Sequence, residues 1–212
     1  MRGRHGRRRD RLDRVDRPGD GRCRPVTTVD STVWTELAAD ADAVVARYPQ
    51  ARSALLPLLH LVQSAEGHVS AAGIEFCARR LGLTVAEVQA VATFYTMYKR
   101  APVGDYLVGV CTNTLCAVMG GDAILAALRE YVPEDGSITL EALECNAACD
   151  HAPVMMVNWE FFDTMTPAAA RQLVDDLRAG RAVSPSRGTS PLCTFRQTSR
   201  LLAGFCEEGG TP

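Results

Sequence analysis

From Asp30 to Arg100 the apolar residues recur at the three-to-four spacing of an amphipathic helix. Trp34, Leu37, Ala38, Ala41, Val44 and Val45 share one face, and Tyr48-Pro49 closes that element because a residue before proline is driven out of the helical region. A second helix is predicted through Leu55 to Val62, with Pro57 in its first turn, where a missing N–H costs least. Ser70 caps a third, whose stripe of Ile74, Cys77, Ala78 and Leu81 ends at Gly82. Thr84-Val85-Ala86-Glu87 is a capping box for a fourth, which directs Val88, Val91, Ala92, Tyr95 and Tyr98 inward. Phe94, Tyr95 and Tyr98 read as core, and the four helices as a bundle without clustered chemistry.

Pro102 and Gly104 mark a boundary, beyond which the period changes. Tyr106 to Val110 is predicted as a strand and Gly121 to Tyr131 as a helix with Ile124, Leu125 and Leu128 inward; Pro133-Glu134-Asp135-Gly136 makes a turn. Ile138, Leu140 and Ala142 alternate with Thr139 and Glu141 in a second strand. Val154 to Val157 gives a third, Asn158-Trp159-Glu160 a tight connection, and Phe161-Phe162 a short fourth. Thr166 caps a closing helix with Pro167 at its first position and Gly180 past its end. This order, β-α-β-β-β-α, suits a small α/β sandwich of thioredoxin type. The predicted fold class is therefore α+β, with a helical bundle over 26–101 and an α/β domain over 102–180. Residues 181–212 are rich in Ser, Pro, Arg, Thr and Gly, with no period before a short helical turn at Thr198 to Phe205. They are predicted to form a mobile tail that could lie along a partner.

Charge alters the picture at the N-terminus. Residues 1–25 hold ten Arg against four Asp, so a net charge of -2 hides a body at -8, which points away from nucleic acid as a partner. That basic arm has too few apolar residues to offset ordering and is predicted disordered. A translation start near Val26 would leave it out of the protein altogether. No segment reaches the roughly 18 apolar residues of a membrane span, since Pro57 and His60 interrupt Ala54 to Val62. No apolar signal-peptide core follows Met1, and eight cysteines in 212 residues are too sparse for a disulfide-stapled mini-protein. A reducing compartment, with thiolates as ligands, is expected.

The cysteines carry the candidate chemistry. Cys111 and Cys116 follow the first strand, Cys145 and Cys149 the second, as Cys-x4-Cys and Cys-x3-Cys pairs. Four thiols at neighbouring strand ends can serve one polynuclear centre. An oxidised two-iron two-sulfur cluster with four thiolates carries about -2, by charge counting, and needs N–H donors; Ala117 to Gly121 are expected to aim amides and a helix start at it, with Gly120-Gly121 allowing close approach. The spacing alone leaves three readings open: an iron–sulfur centre, a structural zinc site at the loose edge of zinc spacing, or unrelated buried thiols. A Cys-x-x-Cys redox motif is absent. Cys77 is read as core packing, and Cys23, Cys193 and Cys206 as lying in segments without order, with no second cysteine at ligand spacing. His60, His68 and His151 are read as packing or surface residues, although His151 lies near enough to Cys149 to touch a cluster's edge. With no Gly-x-Gly-x-x-Gly turn and no phosphate loop, the chain is not expected to bind a dinucleotide or flavin by itself. The residues suit an electron carrier whose partners hold the two-electron chemistry.

Three stretches, Ala92 to Tyr98, Val110 to Cys116, and Glu144 to Asp150 with Ala152 to Asn158, closely resemble the E-subunit family of the bacterial NADH:quinone oxidoreductase, respiratory complex I. The resemblance runs from about Trp34 to Gly180, and Pro191 to Arg196 is similar to the actinobacterial branch. It implies a thioredoxin-like ferredoxin domain with one 2Fe-2S cluster held by Cys111, Cys116, Cys145 and Cys149. It further implies docking on the subunit that binds NADH and FMN, single-electron exchange with that flavin, and a cytoplasmic place on the inner face of the membrane through the peripheral arm. The equivalent subunit of an NAD-linked hydrogenase or formate dehydrogenase is the alternative, and a zinc-stabilised scaffold the rival from another class. Two departures stand out. Ala147 replaces a glycine common in relatives, so the second loop is expected to do without that residue's freedom at positive φ, and the segment between Tyr131 and Ile138 is short.

Overall fold

The computed structural model describes residues 31–188 and 192–205. The expectations for residues 1–25, for Cys23 and for Cys206 lie outside the described residues. Four helices come first: α1 (Ser31–Val45), α2 (Leu55–Glu66), α3 (Ala71–Leu81) and α4 (Val85–Phe94). The predicted caps form. Ser70 accepts from the Gly73 N–H, Gly82 ends α3 in a left-handed conformation, and Thr84 and Glu87 close a reciprocal capping box. Leu37, Ala41, Val44, Leu58, Val62, Ile74, Cys77 and Val88 meet in one core. His60 is buried there against the Tyr98 ring, and burial lowers its pKa to about 4, which keeps it neutral.

Two aromatic expectations fail. Phe94 is 77% exposed and Tyr95 44%, whereas Tyr98 is buried. The helical period stops with α4, because Tyr95 takes an extended backbone (φ -92°, ψ 122°) and rotates the following residues off the inward face. Tyr98 returns to the core and donates its hydroxyl to the Leu56 carbonyl at 2.9 Å.

The second region is a four-stranded sheet in the order β2-β1-β3-β4, built from β1 (Tyr106–Cys111), β2 (Ile138–Leu143), β3 (Met155–Val157) and β4 (Glu160–Phe162). β1 runs parallel to β2 and antiparallel to β3, and β3 pairs antiparallel with β4. Asn158 and Trp159, both at positive φ, form the two-residue turn between β3 and β4. A short helix, α5 (Thr114–Val118), precedes α6 (Gly121–Tyr131), and α7 (Pro167–Arg178) follows the sheet with Thr166 as its cap. The inward residues of α6 and α7 cover one sheet face, where Val108, Val110, Met155, Val157, Ile124, Leu128, Leu173 and Val174 form a second core.

The described part of the segment expected as a mobile tail is built into the structure. A last helix, α8 (Phe195–Leu202), opens on a second capping box, Thr194 with Gln197. Phe195 and Ser199 are fully buried. The buried Gln63 amide of α2 donates to Ser199 Oγ (3.2 Å) and the Met97 carbonyl, and its oxygen accepts from the Lys99 N–H (2.8 Å). Every polar atom of that side chain is thereby satisfied. The Phe195 ring lies 5.3 Å from Trp159, and Asn158, buried in the sheet's turn, donates to the Cys193 carbonyl. The described part of the tail thus connects the two cores. A Lys99–Glu141 ion pair at 2.8 Å is a further bridge between the regions.

Candidate metal centre

The register of the two parallel strands decides where the cysteines go. Cys111 is the last residue of β1 and sits opposite Leu143, the last residue of β2. Parallel strands end on the same side of a sheet, so the loops that follow them emerge side by side. The first continues through Thr112 into α5, which carries Cys116. The second runs from Glu144 through Cys145 to a 3-10 turn over Cys149–His151. The Thr112 N–H donates to the Leu143 carbonyl at 3.1 Å, and Asn113 Nδ2 to Glu144 Oε2 at 2.8 Å, fastening one loop to the other.

All four predicted cysteines come together at this edge. Cys111 and Cys116 are buried, with Ala148 and Val154 beside them and Phe161 and Ala152 packed outside. Cys145 and Cys149 are exposed, their sulfurs 3.5 Å apart. The pairs also sense one another. Burial raises the Cys116 pKa, a hydrogen bond from the Val154 backbone opposes that rise, and the Cys111 and Cys149 sulfurs add to it. The Cys149 thiol is raised first by its contact with Cys145, and also by Cys111 and Asp150. Cys116 and Cys149, whose ionisation the neighbouring thiols oppose, would be held as thiolates by a bound cation. Among the described residues, no three His, Cys, Asp or Glu side chains surround one point that a single ion could occupy. The four thiols, two on each of the adjoining loops, are of the donor type that an iron–sulfur group takes.

The support from α5 differs from the expectation. The amides of Ala117, Met119 and Gly120 are spent inside the turn, on the carbonyls of Asn113, Leu115 and Ala117, and so are not aimed at the sulfurs. The N–H contribution found comes instead from Val154. Gly121 is required for a different reason: a Cβ there would collide with the backbone carbonyls of Cys111 and Cys116. Ala147 adopts φ 55° despite its side chain, so the second loop keeps the left-handed step that glycine would make freely.

The remaining candidates lie elsewhere or on the rim. Cys77 is fully buried in the helical core, and burial pushes its thiol up to about 12. Cys193 is half-buried beneath Asn158. His151 is exposed and 3.5 Å from the Asp150 carboxylate, and His68 contacts the Glu66 carbonyl. Arg187, missed in the sequence because its segment lacks periodicity, reaches Asp150 beside the second loop.

Residues 41–178 match the model of the thioredoxin-like [2Fe-2S] ferredoxin family. The chain belongs to that family. Over 183 residues it is 60% identical to the E subunit of NADH-quinone oxidoreductase from Mycobacterium tuberculosis (strain ATCC 25618 / H37Rv), a match that covers 83% of this chain and 72% of that one. Over 153 residues it is 34% identical to the second of two NADH-quinone oxidoreductase E subunits of Rhizobium meliloti (strain 1021), covering 68% of this chain and 90% of that one. A crystal structure of an NAD+-reducing [NiFe]-hydrogenase in the air-oxidized state shares the fold with a TM-score of 0.50 and 18% identity, over 58% of this chain and 23% of that one. The α+β architecture expected from the sequence is the family's thioredoxin-like fold with a helical region before it. No helix among the described residues is long and apolar enough to cross a membrane.

Proposed function

We propose that this chain is the electron-carrying E subunit of an NADH-quinone oxidoreductase, with Cys111, Cys116, Cys145 and Cys149 as the ligands of one [2Fe-2S] cluster. The convergence of two cysteine pairs at the end of adjoining parallel strands is the observation that carries this reading. When bound, the cluster supplies reversible one-electron chemistry. The chain's own part is to hold four thiolates in place. β1 and α5 fix Cys111 and Cys116 in a dry setting, the Val154 N–H shares charge with Cys116, and Asn113 ties the second loop to the first.

The flavin and the nicotinamide belong on a partner subunit, since the sequence has no nucleotide-binding turn. Leu115, Val118 and Met119 on and just after α5 are exposed next to Cys116 and offer an apolar rim for such a partner. The place of the chain is then the cytoplasmic face of the membrane, held there by the peripheral arm. The 60% identity to a component of NADH-quinone oxidoreductase favours this assembly over a hydrogenase or formate dehydrogenase. Membership of a [2Fe-2S] ferredoxin family, together with thiols set as two pairs, favours a binuclear centre over zinc.

Purified full-length protein is expected to be red-brown, with about two iron and two acid-labile sulfides per chain. Reduction by dithionite is expected to produce the paramagnetic resonance of a two-iron centre. Cys111→Ser or Cys145→Ser should weaken or abolish that signal, while Cys77→Ser should keep it. Colourless zinc protein, or equal cluster loss in Cys77→Ser, would overturn the assignment.

A further inference from the structure

The segment after α7 folds back over the second cysteine loop. The Ser186 N–H donates to the Phe161 carbonyl at 2.7 Å, and Ser186 Oγ accepts from the Asp163 N–H at 2.8 Å. Those two bonds deliver Arg187. Its Nε donates to Asp163 Oδ2 (2.9 Å), and its Nη2 donates both to Asp163 Oδ1 (3.2 Å) and to Asp150 Oδ1 (3.3 Å). The same guanidinium lies over the Phe161 ring, 5.1 Å from its centre. Phe161 packs against the patch of Cys111, Cys116, Ala148 and Val154, and Asp150 directly follows Cys149. One cation is thus a single side chain away from the buried thiol pair and one residue away from the exposed pair.

Its setting is more constrained than that of an ordinary surface ion pair. The Asp163 side chain is only 13% exposed and has the guanidinium as a bidentate partner, an arrangement that fixes position as well as charge. Of the other titratable groups nearby, His151 Nε2 lies 3.5 Å from Asp150 Oδ2, the oxygen that Arg187 leaves free, and Glu160 approaches Gly188.

We propose that Arg187 is a positioning and charge-tuning residue for the cluster: it clasps the Cys145–Asp150 loop to β4 and supplies the positive charge that makes addition of an electron easier. The inference rests on the ligand reading above. A thiolate-bound cluster becomes more negative when it accepts an electron, so a fixed cation at this distance favours the reduced form, and loss of either aspartate charge favours it as well. Charge tuning therefore requires opposite signs at the two ends of one ion pair. Arg187→Gln should shift the midpoint potential to more negative values, and Asp150→Asn to more positive ones. Arg187→Lys, which keeps the charge and loses the fork, should stay near the parent potential but release its cluster faster to a chelator.

The experiment is a redox titration of full-length, cluster-loaded protein, followed by paramagnetic resonance, with iron and sulfide measured on every sample. Parent protein without a two-iron signal would strike down the ligand reading itself. Parent protein with the signal, and with Arg187→Gln and Asp150→Asn moving in the same direction or not at all, would overturn the role of Arg187 alone. Should Arg187→Gln fail to retain a cluster, Arg187→Lys and Asp150→Asn decide: a lysine variant displaced as far as Asp150→Asn contradicts charge tuning, and one near the parent supports it.

Discussion

The two cysteine pairs use the same chemical group in opposite surroundings. Cys111 and Cys116 are 2% and 3% exposed, held by a strand end and a helical turn, while Cys145 and Cys149 stand in solvent on a loop. The first pair is part of the protein's packing, and its geometry is set as the sheet forms. The second is held by local ties: the Asn113–Glu144 bond, the left-handed Ala147 and the Arg187 clasp. A rigid half and an adjustable half can close on a metal group that arrives after folding, because only the outer half has to move.

That contrast can be broken most directly at Gly121. Gly121→Ala places a methyl against the carbonyls of Cys111 and Cys116. It should cost about 3 kcal/mol of stability and scatter the inner pair, which denaturant unfolding of metal-free protein would measure. Next in size, Cys116→Ser should cost the metal-free protein about 2 kcal/mol, because a hydroxyl with a stronger need for partners replaces a buried thiol. Cys145→Ser should abolish cluster binding equally while changing the metal-free unfolding free energy by no more than about 0.5 kcal/mol. Equal stability losses at the two positions would erase the distinction. Removal of iron with a chelator should raise amide hydrogen exchange across 144–150 far more than across 106–111, as expected where local contacts rather than core packing restrain the backbone. Ala147→Gly should have the smallest effect, a gain of about 0.5 kcal/mol in metal-free protein, since it relieves a left-handed alanine at the expense of chain entropy.

Much of this architecture is legible where local chemistry is self-contained. Ser70, Thr84 and Thr166 are caps that act on their own first turns, and α6 begins and ends where its punctuation says. The cysteine pairs and the strands before them are visible in the residues, which already suggest neighbouring strand ends, whereas the parallel register that unites the pairs is a long-range fact that only the fold supplies. The exposed Phe94 and Tyr95 mislead because aromatic residues continue the helical spacing past the point where the backbone straightens. The tail is harder to read, although Thr194-Phe195-Arg196-Gln197 is itself a capping box; only Phe195 and the terminal leucines mark the helix, and its partner Gln63 lies far away in the chain. The amides of α5 cannot be anticipated without knowing that a five-residue helix consumes them.

The contact between Gln63 and Ser199 also has a meaning for biosynthesis. A ribosome makes α2 before α8, so a growing chain holds Gln63 without its Ser199 partner through most of translation. Only when the stretch around Phe195 has been made can Ser199 take up that amide and complete the polar contacts of the helical interior.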